Sequence, residues 1–530
     1  MTAADLVVQG ATVHTMDPTR PLAEAVAVRA GRVVAVGDTR DMRAHIGPRT
    51  EVVDAPGLVV TPGLVDSHQH PMHGLADARA TNAAGLTTDQ LHDLLRRTAA
   101  TLPPDAWVVV NGVEYDAFPE NPSAFLDDAV AGRPAFVWLA DSHNALMSTR
   151  GLRLAGITGP IDFGDRAEVM VDDRGVPTGQ LHEMTAVLHG YAAVPPPTTD
   201  DIARLAADLF ADQAACGIIG IHVPDSWPGT EAVLDALEER DRLPLRVMLA
   251  PWMFPNAVED TLDLVRAPRA GRLWRTGAVK FFLDGTIDGG SAWLAHPDCA
   301  GEGTRPMWRE VGRYEEAVRR VVGLGLPCLT HAIGDQAVTT VLDTYQSVGR
   351  PRRGRHRVEH IELLADADVT RFAELDVVAS MQPTHMDWTL PDHTDNWSQR
   401  LGAPRCAHGW RCADITQAGG RIALGSDWPV AHYDPRVVMA GARLRRPVAH
   451  DRAPVGIDQA LSARQSLAGY TTWAAYGVGE ESIAGRIREG FRADLTVFAG
   501  DPLSCPAREL ADLPVALTVV DGRIAHRADI

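Results

Sequence analysis

Two histidines one residue apart, His68 and His70, close the apolar phrase GLVVTPGLVDSHQH (57–70). At i and i+2 they project from the same face of a strand and can reach a single ion. Further along, His331 lies in LPCLTHAIGD (326–335), His360 in HRVEHIE (356–362) and Asp427 at the end of RIALGSD (421–427). Imidazole and carboxylate donors together suit Zn²⁺ or a similar borderline cation. Taken singly, each is more often structural, as a core His bonded to a carbonyl or an Asp capping a helix. Four His and one Asp at the same ends of four apolar runs point instead to a metal centre. Lys280 sits inside AVKFFLDG (278–285), where an unpaired ammonium among apolar neighbours is costly. Two resolutions stand open: a structural ion pair, or a lysine carbamate whose anion bridges two ions.

The elements that must hold these residues are short apolar runs separated by helical stretches, the mark of a parallel α/β sheet. Eight occur: 64–70, 218–224, 245–251, 278–285, 326–335, 356–362, 377–383 and 421–427. Eight parallel strands close into a (β/α)₈ TIM barrel of ~250 residues, whose reactive groups sit at the C-terminal ends of the strands. The expected fold class is therefore α/β, with accessory units filling the rest of the chain. Residues 5–61 and the far C-terminus read as short strands broken by Gly, Asp and Pro, and they share the phrases VRAGRVVAVGD and VVDGRIAHRAD. Neither end is long enough for a core of its own, so a small β-sandwich built from both ends is expected. The boundaries are 1–62 and 476–530 for the sandwich and 63–475 for the barrel, with an insertion over about 75–200 that includes a hairpin at 166–182.

Composition narrows the partners. A net charge of −19 repels phosphate backbones, so no nucleic acid is expected. Six scattered cysteines with no C-x-x-C pair fit a reducing compartment rather than a disulfide framework or zinc ribbon. The N-terminus alternates like a strand, without a basic segment and apolar stretch, and no window approaches a membrane span. A cytoplasmic protein acting on a small molecule is expected, with a homodimer allowed.

The motif set resembles the amidohydrolase superfamily, and within it the amidohydrolase-3 or YtcJ-like branch that includes N-substituted formamide deformylases. The phrases carrying the resemblance are GLVVTPGLVDSHQH, GAVKFFLDGTIDG (277–289), THAIGDQAV (330–338), RVEHIEL (357–363), SMQPTH (380–385), ALGSDWPV (423–430) and IREGFRADLTVF (487–498). The resemblance implies a centre of one or two metal ions, Zn²⁺ or another divalent ion, with His68, His70, Lys280, His331, His360 and Asp427 as ligands. It implies a carboxylated Lys280 and Asp427 as general acid/base. It also places His143, in DSHNALMSTRGL (141–152), near the substrate. That segment lacks the family's usual Asn-Ser pair, and DGTIDGGSAWL (284–294) departs from the commoner Gly-Ser-rich form. The departures leave the metal site intact and bear on the substrate.

The expected reaction is hydrolysis of a non-peptide carbon–nitrogen bond. In it a metal-activated water attacks a carbonyl, Asp427 relays the proton, and His360 or His143 steadies the oxyanion. Alternatives are a deaminase of a cyclic amidine and a dead barrel acting as a binding protein. His385 and Glu183 are weaker site candidates. Trp252, Trp293, Trp388 and Trp428 each follow a barrel strand closely, so aromatic walls and an apolar or aromatic neutral amide are expected.

Overall fold

A computed structural model describes residues 3–225, 227 and 229–529. The eight apolar runs all form strands; the first to third pair in parallel with one another, as do the fourth to eighth. In order they are Leu64–Asp66, Ile218–Val223, Arg246–Leu249, Val279–Phe282, Cys328–Ala332, Arg357–His360, Val378–Met381 and Arg421–Leu424. The fourth strand comes in two pieces. Trp274–Thr276 pairs with the third strand, and Val279–Phe282 pairs with the fifth. The eighth strand returns to the first: Ser67 N–H donates to the Leu424 carbonyl at 3.0 Å, and Asp427 N–H to the His68 carbonyl at 2.7 Å. The result is a TIM-barrel-like α/β fold.

These strands read as nearly unbroken apolar runs because both of their faces are covered. The outer cover is helical. Val311–Gly323 buries Tyr314, Ala317, Val318 and Val321, the i, i+3, i+4, i+7 stripe of an amphipathic helix, and Asp335–Val348 buries a matching stripe. Among the described residues no helix is long and apolar enough to cross a membrane.

Strands from both chain ends share one eight-stranded sheet, joined where Leu495–Phe498 lies antiparallel to Val59–Pro62. Leu6, Val8, Val13, Leu495, Val497 and Val519 form a common core there. Arg246, at the start of the third barrel strand, ties this sheet down through Asp494 at 2.8 Å and Asp521 at 3.0 Å. Between the first and second barrel strands the chain builds a six-stranded sheet from Thr81–Asn82 through Pro177–His182. Glu168–Val171 and Pro177–His182 are its antiparallel edge hairpin.

Candidate metal centre

The first of these strands stops at Asp66, so His68 lies in the bend and His70 in the irregular segment beyond it, not on the strand itself. His360 ends the sixth strand, and Asp427 stands three residues past the eighth. Both adopt positive φ, +75° and +59°. For non-glycine residues that conformation costs about 1–3 kcal/mol and persists only where the surroundings enforce it, as at functional sites.

His68, His360 and Asp427 bring one donor atom each to within 4.8 Å of one another, all buried. His68 Nε2 lies 3.4 Å and His70 Nε2 3.1 Å from Asp427 Oδ1; His360 Nδ1 lies 3.8 Å and His385 Nε2 3.5 Å from Oδ2. Carboxylates orient the H-x-H pair from behind. Glu359 Oε2 is 2.6 Å from His68 Nδ1, and Asp225 Oδ2 is 2.8 Å from His70 Nδ1. Glu359 is in turn gripped by the fully buried Arg357, which also donates to the Ser67 carbonyl and Ser380.

The electrostatics test whether a cation fits. Burial, reinforced by Lys280, pushes His68 down to about 4, so its ring is neutral. With Nδ1–H donating to Glu359, the Nε2 lone pair faces the Asp427 carboxylate. Burial raises Glu359, but the Arg357 charge and the hydrogen bonds from His68 and Arg357 outweigh it and hold it as the anion. Burial also keeps His360 well below the usual imidazole range. His68 Nε2 and His360 Nδ1 are buried without a hydrogen-bond partner among the described residues. Two lone pairs beside a carboxylate are donors that fit a cation, and imidazoles backed by carboxylates are the usual surroundings of one. For His70, burial lowers the pKa, but the hydrogen bonds to Asp225 and Asp427 outweigh it and hold the ring at about 9. The same space draws positive charge.

The remaining candidates fall in two groups. His331 lies beside the centre, its ring 4.4 Å from that of His360, but its Nε2–H donates to the Gly285 carbonyl at 3.1 Å. Lys280 is almost fully buried, with Nζ over the Phe282 ring, and no carboxylate among the described residues lies at ion-pair distance. Burial lowers it to about 8 against the pull of Glu359 and Asp427. His143 enters from the six-stranded sheet, its Nδ1 3.1 Å from Glu183 Oε2 and its ring 5.5 Å from His331.

These groups floor a cavity of about 400 Å³. Trp252 and Trp388 line it as expected, but Trp293 and Trp428 do not. Trp293 packs against the barrel core, and Trp428 lies against Gly74 and Tyr433. Their places are taken by Trp397 and Trp410, which lie too far from any strand end for spacing to reveal. Arg357, Glu359 and Asp225 were likewise absent from the sequence-based set. Glu359 directly precedes His360, and Asp225 follows the second strand by two residues, which is the only local signal either carries.

Parallel strands carrying His and Asp at their carboxyl ends define a TIM-barrel-like α/β architecture, and a solved structure of an uncharacterized metal-dependent hydrolase from Pyrococcus horikoshii shares it. That structure matches with TM-score 0.74 at 21% identity, covering 95% of this chain and 99% of its own. The amidohydrolase family model matches residues 51–526, and the chain belongs to that family. It is 27% identical to N-substituted formamide deformylase of Arthrobacter pascens, over 98% of both chains. It is 28% identical to the putative amidohydrolase YtcJ of Bacillus subtilis, again over 98% of both.

Proposed function

We propose that this protein hydrolyses an amide of a small molecule, an N-formyl or N-acyl amine, at a divalent-metal centre. The observation that carries the reading is the convergence of unpartnered His68 Nε2 and His360 Nδ1 on the Asp427 carboxylate. His68, His70, Lys280, His331, His360 and Asp427 would hold one or two ions, zinc by donor type, with Lys280 carboxylated if there are two. A metal ion bound there supplies Lewis acidity, polarising the scissile carbonyl and acidifying water.

The chain's own residues do the rest. Asp427, facing the cavity, accepts a proton from the attacking water and returns it to the leaving nitrogen. His143, held by Glu183, and His360 stand where a developing oxyanion needs donors or neighbours of positive potential. Water adds to the carbonyl carbon, the C–N bond breaks, and a carboxylate and an amine leave. The closed (β/α)₈ barrel over 63–475, the β-sandwich from 1–62 and 476–530, and the insertion over about 75–200 belong to the same reading. In it the insertion supplies His143 and Glu183 to a barrel-borne centre.

The similarity to a formamide deformylase supports this chemistry over ring deamination. A panel of N-benzylformamide, an N-acetyl aromatic amine, dihydroorotate and cytosine tests it. Release of formate or acetate with the free amine is expected; turnover confined to the last two compounds would overturn the amide reading.

A further inference from the structure

Arg357 and Glu359 stand at i and i+2 on the sixth parallel strand, so both project to one face, and both side chains are fully buried there. Their pairing is two-pronged: Arg357 Nε lies 2.8 Å from Glu359 Oε1 and Nη2 lies 2.9 Å from Oε2. Oε2 is also the oxygen 2.6 Å from His68 Nδ1. The same Nη2 lies 2.6 Å from the carbonyl oxygen of Ser67, the peptide group that leads into His68, and 2.9 Å from Ser380 Oγ on the seventh strand. Nη1 lies 3.0 Å from His222 Nδ1 on the second strand. One planar group thus reaches His68 twice, at its backbone and, through Glu359, at its ring.

His68 depends on such support. It lies in the bend beyond the first strand, where its own N–H goes to a side chain, Asp66 Oδ1 at 3.0 Å, and not to a neighbouring strand. The Glu359 carboxylate can only accept, so it keeps the ring proton on Nδ1 and leaves the Nε2 lone pair directed at Asp427 and His360. A displaced carboxylate would let the proton pass to Nε2 and block the donor that a cation needs. Stability does not account for the arrangement. Taking a guanidinium and a carboxylate out of water costs much of what their attraction returns, and apolar residues of similar size are often as stable in their place. What apolar residues cannot supply is direction.

Resting on the metal-hydrolase reading above, we infer that Arg357 is a positioning residue of the centre. Through the Ser67 carbonyl it places His68, and through Glu359 it holds the ring in the Nδ1–H form with Nε2 open. It touches neither the ion nor the substrate.

Lysine is the discriminating substitution. Arg357→Lys keeps a positive charge beside Glu359 but replaces a rigid fork by a single point charge, which cannot span Glu359, the Ser67 carbonyl, Ser380 and His222 together. The ring form of His68 is read by ¹⁵N NMR on metal-free protein, its signals assigned by their loss in His68→Gln, and zinc affinity is read by competition with a chelator. We expect one Nδ1–H form in the wild type, a mixture of both tautomers in Arg357→Lys, and zinc affinity lower by about 10–100-fold in the variant. An Arg357→Lys protein that binds zinc as the wild type does, or whose His68 keeps the Nδ1–H form, overturns the proposal. Should that variant fail to fold, Glu359→Gln is compared with Arg357→Met/Glu359→Gln, in which neither buried charge is left without its partner. A further loss of zinc affinity in the double variant is then expected, and no further loss overturns the proposal. If the wild type hydrolyses no amide while these differences hold, the amide reading falls and the positioning role stands.

Discussion

Asp427 meets four imidazoles within 3.8 Å, and its backbone is held by the carbonyl of one of the same residues, His68. Asp427→Asn keeps that shape and removes the proton acceptor. We expect the variant to melt near wild type and lose about 10²–10⁴ in turnover; near wild-type turnover would make Asp427 structural. Behind the centre, Asp225→Asn keeps an oxygen toward His70 but gives up the charge that orients and polarises it. Metal affinity should fall about 10–100-fold, which equilibrium dialysis with elemental analysis would register; unaltered affinity removes Asp225 from the site. His68, His70, His360 and Asp427 were legible in the sequence because each follows an apolar run closely, so type and place could be read together. The carboxylates behind the histidines were not. Glu359 reaches His68 across 291 residues of chain and Asp225 reaches His70 across 155, and no local pattern records such a contact.

At the level of elements, Asp284 shows how strand ends are fixed. It follows the fourth strand and accepts from three backbone N–H groups: Trp293 at 2.8 Å, Ile333 at 3.0 Å and Gly334 at 2.8 Å. One fully buried carboxylate thus staples the long loop after the fourth strand to the turn after the fifth, beside His331. Asp284→Ala strands three buried donors, each costing about 1–3 kcal/mol unmet. We expect about 3–5 kcal/mol lower stability in urea unfolding, near the upper range for single substitutions; a loss under 1 kcal/mol would mean that water or a neighbouring loop replaces the staple. The sequence placed all eight parallel strands because burial on both faces leaves continuous apolar runs. It caught only the edge hairpin of the six-stranded sheet at 81–182, since the other strands there are short and mixed in direction, with no repeating helix–strand rhythm.

For the whole molecule the question is what holds the first and eighth parallel strands together when strands from both terminal segments meet in one sheet. Strands from both terminal segments share one sheet, as the phrases common to the two ends had suggested. The return from the eighth strand to the first carried no such mark. It is made by backbone hydrogen bonds from Ser67 to Leu424 and from Asp427 to His68. His68 and Asp427 are also the two sides of the cluster fit to hold a cation, with His360 bringing in the sixth strand. A metal ion there would bridge strands one, six and eight, so unfolding would have to release it. A ligand that binds only the folded chain stabilises it by RT ln(1 + [L]/Kd), about 4 kcal/mol at a thousandfold excess over Kd. Chelation should therefore lower Tm as well as abolish amide turnover. Zinc returned to the stripped protein should raise Tm in proportion to the logarithm of free metal, while activity saturates. Elemental analysis confirms the stripping. Protein freed of metal that keeps both its Tm and its turnover would show that the His–Asp cluster is a structural hydrogen-bond network.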